Sequence, residues 1–78
     1  MWEVWYSLEA ATYLEDNGVL VADLFFAMES LADSDGMPAI GDCRQIDELT
    51  LWQVVGHLVI YQRFETERIV QVTAIKPN

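Results

Sequence analysis

Lysine and arginine are missing from the first 36 residues. That stretch carries eight acids (Glu3, Glu9, Glu15, Asp16, Asp23, Glu29, Asp33 and Asp35), and the four bases of the chain, Arg44, Arg63, Arg68 and Lys76, all follow it. The first segment is therefore −8; the remainder, with five acids against four bases, is −1, for a net charge of −9. Nucleic-acid binders gain affinity by neutralising phosphates with Lys and Arg, so this balance argues against nucleic acid or the ribosome as partner except through a local patch. A single cysteine, Cys43, excludes an internal disulfide. No charged-then-apolar leader of secretory type opens the chain, so a cytoplasmic protein is expected. Long apolar runs are lacking too. The best of them, Leu49 to Ile60, is broken by Thr50, Gln53 and His57 and is too short and mixed to span a bilayer.

What is present is apolar bulk. Hydrophobic residues make up 53% of the chain, with three each of Trp, Tyr and Phe, which argues for a folded globule rather than disorder despite the charge. Seventy-eight residues suffice for one domain, 1–78, because a second could not bury enough surface to hold itself. Trp2 to Tyr6 reads as a strand with Trp2, Val4 and Tyr6 on one side and Glu3 and Trp5 on the other. Ser7 reads as the N-cap of a helix from Leu8 to about Asp16, with Glu9 complementing its positive end. Asn17-Gly18 ends it, since both residues tolerate left-handed backbone. A second helix runs from Val19 or Leu20 to about Ala32, its buried face marked by Leu20, Leu24, Ala27, Met28 and Leu31. So short a link predicts an antiparallel helical hairpin.

Asp33 to Asp42 is rich in turn formers and has no period, so it is a connector. Three β candidates follow: Cys43–Val55, with a break at Asp47-Glu48 and its stronger part from Leu49; Leu58–Phe64; and Arg68–Ile75. Gly56-His57 and Glu65-Thr66-Glu67 are the turns between them, short enough to force adjacent antiparallel pairing. The expected fold is α+β, in the order β-α-α-β-β-β: a small twisted antiparallel sheet with the helical hairpin packed on one face.

The run Gly56-His57-Leu58-Val59-Ile60-Tyr61-Gln62, an acidic turn, and Arg68-Ile69-Val70-Gln71-Val72-Thr73-Ala74-Ile75 resembles the RelE/ParE toxin superfamily of bacterial toxin–antitoxin modules. Gly36-Met37-Pro38-Ala39-Ile40-Gly41 is similar to the family's Gly/Pro-containing connector after the helices. The likeness covers nearly the whole chain in order of elements, and it implies the sheet-and-hairpin fold described above. For function it implies either ribosome-dependent messenger RNA cleavage or gyrase inhibition, with an antitoxin as partner. Leu58 stands where the family's motif has Arg, the chain ends in Lys76-Pro77-Asn78 rather than a basic and tyrosine-containing tail, and Arg44 is the only cation in Asp42–Leu49.

Metal-free RNA cleavage needs a group to take the 2′-hydroxyl proton, one to protonate the leaving oxygen, and cations for the phosphate charge. The candidates are His57 and Tyr61 for proton transfer and Arg44, Arg63 and Lys76 for charge. Strand alternation puts Tyr61 and Arg63 on one face and leaves His57 in the turn. The plainer readings are a turn histidine, a core-facing Tyr61 with its hydroxyl at the rim, Arg63 and Arg68 paired with the acids of the Glu65–Glu67 turn, and Cys43 as a small hydrophobe. Asp33-Ser34-Asp35-Gly36 begins like a calcium loop, but later ligands do not follow, and no metal or cofactor is expected. Trp2, Trp5, Phe25, Phe26 and Trp52 exceed what a domain of this size easily hides, which predicts an exposed aromatic patch. Three functions fit: a toxin-like component with an antitoxin-like partner, a non-enzymatic interaction or homodimerisation module on the same scaffold, and an acidic mimic of nucleic acid.

Overall fold

The computed structural model describes residues 1–78. Strand β1 (Glu3–Tyr6) leads into helix α1 (Leu8–Asn17), a 3-10 turn (Gly18–Val21), helix α2 (Ala22–Glu29) and a second 3-10 turn (Ser30–Asp33); β2 (Asp42–Ile46), β3 (Leu49–Val54), β4 (His57–Phe64) and β5 (Ile69–Pro77) complete the chain. The fold is α+β, as expected, with two refinements. Cys43–Val55 is two strands, because Asp47-Glu48 is a full hairpin turn with Asp47 at φ 55°. The sheet is mixed, in the order β1-β5-β4-β3-β2: β2 to β5 form an antiparallel meander, and β1 pairs parallel to β5. With β1 and β2 on opposite edges, a four-strand meander walks back across the sheet and sets β5 beside β1.

Ser7 performs the predicted capping. Its Oγ accepts from the Ala10 N–H at 3.1 Å and donates to the Thr73 carbonyl at 2.6 Å. Thr73 is the residue left over where β4 and β5 shift register between Ile60 and Tyr61, so the cap also anchors α1 to the bulged strand. α1 runs out over β5 and ends at Gly18, whose N–H reaches the Leu14 carbonyl at φ 38°. α2 brings the chain back, so that Glu29 meets the Tyr6 hydroxyl beside the start of α1.

The residues turned toward the helices are Trp2, just before β1, Val4 and Tyr6 of β1, Val70 and Val72 of β5, Val59 and Tyr61 of β4, and Thr50, Trp52 and Val54 of β3. They meet Ala10, Val21, Leu24, Met28 and Leu31 in one core. The expected helical face is shifted at its start. Leu20 is 88% exposed and Val21 is buried in its place, because residues 18–21 wind as a 3-10 turn and advance the phase.

The connector is pinned to the same face. Tyr61 Oη donates to the Gly36 carbonyl at 2.8 Å, Arg63 Nε to the Asp35 carbonyl at 2.9 Å, and Trp52 Nε1 to the Ile40 carbonyl at 2.8 Å. Gly41 is required here: it sits at φ 76°, and a Cβ would lie 2.3 Å from the Gln53 carbonyl oxygen. No helix is long and apolar enough to cross a membrane.

Candidate functional site

β4 carries three of the five expected site residues, and alternation turns His57, Tyr61 and Arg63 to the helix side of the sheet. His57 is not in a turn. The β3–β4 turn is Val55-Gly56, at φ 49° and 69°, and His57 opens β4 opposite Val54 and Pro77. The positive-φ pair of a tight hairpin needs Gly56 at its second position, which draws the turn one residue earlier than expected.

His57 is committed on both nitrogens. Nδ1 lies 2.7 Å from the Val55 carbonyl, which can only accept, so Nδ1 carries the proton; in the neutral ring Nε2 is then the acceptor of the Tyr13 hydroxyl at 2.8 Å. Tyr61 is fully buried. Burial pushes its phenol up to about 12 from 10.0, with the nearby Cys43 thiol adding to the rise and Thr50 and Arg63 opposing it. A phenol so placed keeps its proton at neutral pH and is already donating to Gly36. Arg63 is spent in a similar way, on the Asp35 carbonyl, on Glu65 at 3.3 Å and over the Trp2 ring at 5.2 Å.

Arg44 is on the other face. It stands opposite Leu51, and across the sheet that row continues to Ile60, so the sheet itself separates Arg44 from Tyr61 and Arg63. His57 and Tyr61, four residues apart on an extended strand, are separated by roughly 13 Å of backbone. The structure thus brings Tyr61 and Arg63 together and disperses the rest. Around them lies a small recess of about 120 Å³ formed with Met37, Pro38, Cys43, Gln45 and Thr50. Lys76, the fifth candidate, is opposite Leu58 on the Arg44 side. No three His, Cys, Asp or Glu side chains are close enough together to hold a metal ion.

The larger feature was not anticipated residue by residue. Between α1 and α2 opens a cleft of about 690 Å³, lined by Tyr6, Ala11, Leu14, Val21, Ala22 and Phe25 among others, with Glu15 as its only acid. In its wall Val19 is 92% exposed and Phe25 44%. Burial, then the hydrogen bond and charge of Glu29, push the Tyr6 phenol well above its ordinary range and keep it a donor at the end of the cleft. The surplus of aromatics was the available signal: Trp2 and Trp52 enter the core, and Phe25 and Phe26, with Trp5 on the opposite sheet face, remain exposed. The cleft itself depends on how far α2 stands from α1, which no local pattern encodes.

No family model, curated protein or solved structure matches this chain.

Proposed function

We propose that the chain is a toxin-like component of a toxin–antitoxin module that works by binding protein, a non-enzymatic interaction module on a RelE/ParE-like scaffold in the cytoplasm. The observation that carries this reading is the apolar cleft between α1 and α2, with exposed Val19 and Phe25 in its wall, on a segment without a single base. An open apolar groove with Glu15 in its wall, on a segment of eight acids and no base, fits an amphipathic helix whose polar flanks are basic, inserted as helix-in-groove. An antitoxin-like partner would have to supply such a helix. Dispersal of the proton-transfer and charge candidates supports the same reading, because each of His57, Tyr61 and Arg63 is engaged in the fold and Arg44 is across the sheet.

The test couples a growth assay to a binding assay. Induced expression should leave growth and ribosome-bound messenger RNA intact, and a chain co-expressed from the adjacent reading frame should co-purify with the wild type and be lost from Phe25→Asp. Growth arrest with cleaved messenger RNA, abolished by His57→Ala, would overturn the proposal.

A further inference from the structure

The sheet ends on one side in β2, and every residue of that strand is exposed. Apart from its two charges, Asp42 and Arg44, the usual devices against edge pairing are missing from it. Its register with β3 runs without a bulge from Asp42↔Gln53 to Ile46↔Leu49, it has no proline or lysine, and its two helix-side residues, Cys43 and Gln45, are not acids or bases that would face a partner strand as like charges. Hairpin parity decides which backbone groups are free. Ile46 and Leu49 flank a two-residue loop and form a hydrogen-bonded pair; such pairs alternate along an antiparallel ladder, so Arg44 and Asp42 also bond toward β3. Cys43 and Gln45 therefore direct their N–H and C=O to the open edge. No turn, loop or cap hydrogen bond uses those groups.

We propose that this edge pairs antiparallel with β2 of a second copy of the chain, about a two-fold axis through Cys43, joining two five-stranded sheets into one. Parity and charge select that axis. Outward-directed residues must oppose outward-directed residues, so the axis passes through a residue of the strand. Through Asp42 it would oppose Asp42 to its own copy; through Arg44, Arg44 to its own copy; through Gln45, Asp42 to Glu48 of the second copy. Through Ile46 a single strand residue would be left to pair. Only the Cys43 axis sets Asp42 against Arg44 of the second copy and, by symmetry, Arg44 against Asp42. Those two positions are non-hydrogen-bonded pairs, where facing side chains come closest. Within one chain neither group has an ionic partner: the single ion pair is Arg63–Glu65.

A strand-to-strand contact of this size falls among weak interfaces, below about 1,200 Å², so association is concentration-dependent. It is also separate from the helical cleft, which borders β1 on the opposite edge, so either surface can fail without the other.

Sedimentation velocity on the wild type, Asp42→Arg and Arg44→Asp tests the pairing. The wild type should show a monomer–dimer equilibrium. Each single variant opposes like charges at both positions and should weaken it about tenfold or more. An equimolar mixture of the two variants restores opposite charges at both positions and should associate as strongly as the wild type, in heterodimers. A short bis-maleimide reagent should join Cys43 to Cys43 in the wild type and in the mixture, and much less in either variant alone. A wild type monomeric at the highest concentration reached, or single variants that dimerise as well as it does, would overturn the proposal. So would a mixture that stays monomeric although both variants keep the wild-type circular dichroism.

Discussion

Tyr61 shows how one side chain can look catalytic in a sequence and be structural in a fold. Its hydroxyl holds the connector through Gly36, and its ring meets Trp52 edge-on at 6.1 Å, so it joins the sheet to the segment that crosses it. The pH dependence follows from the raised phenol. An unfolded chain releases the proton near 10 and the folded chain near 12, so between those values the unfolded state binds fewer protons and stability falls as pH rises. The contribution is whole below pH 10 and lost through pH 12. Tyr6, raised in the same direction, adds to the slope. Alkaline titration of phenolate absorbance should therefore show Tyr6 and Tyr61 ionising late and together with unfolding. Tyr61→Phe should flatten part of the alkaline decline and cost about 1–3 kcal/mol at neutral pH, because the buried Gly36 carbonyl loses its donor. Unchanged denaturant stability in that variant would contradict this role.

Among the elements, β1, the Ser7 cap, the end of α1 at Gly18 and most of the buried face of α2 were legible, because each rests on a local signal: alternation, a capping hydroxyl, a positive-φ residue, a three-and-four period. The break at Asp47-Glu48 was legible, but β2 was not recognised as a strand of its own, since an edge strand exposed along its whole length carries no alternation to read. The parallel pairing of β1 depends on the number of strands in the meander, and so on that same edge strand. The Val55-Gly56 turn was placed one residue late, for a reason that makes a prediction. Val55 is β-branched, yet it is held at φ 49° in a tight turn, with nearly half its surface exposed and little packing to offset the strain. Val55→Asn supplies the Asn-Gly sequence that such turns prefer. It should stabilise the protein by about 1 kcal/mol, or roughly 4–8 °C in Tm. A lowered Tm would mean that the valine packs usefully and that the strain argument fails.

Across the whole molecule, the site was legible only as far as strand alternation reaches. Alternation put Tyr61 and Arg63 on one face; it could not say that both would be consumed by the connector, nor that Arg44, on a strand not yet distinguished, would fall on the opposite face. Charge was read correctly as a bulk property, and the structure gives it a geometry. The chain extends 32 Å at its longest, its radius of gyration is 11.4 Å, and thirteen acids and four bases form one ion pair. At about 10 mM salt the screening length is roughly 30 Å and nearly all these charges repel one another; at about 150 mM it is roughly 8 Å and only neighbours do. Because so few attractive pairs exist to be screened, added salt should raise Tm, in contrast to a protein held by surface ion pairs. Pairing through β2 should respond in the opposite sense, since the Asp42–Arg44 contacts are exposed attractions between copies. Thermal melts at low protein concentration across that salt range, set beside sedimentation at high concentration, separate the two effects. Stability should climb while the dimer dissociates, and a Tm that falls with salt at low concentration would show that the acidic cover is not under mutual repulsion.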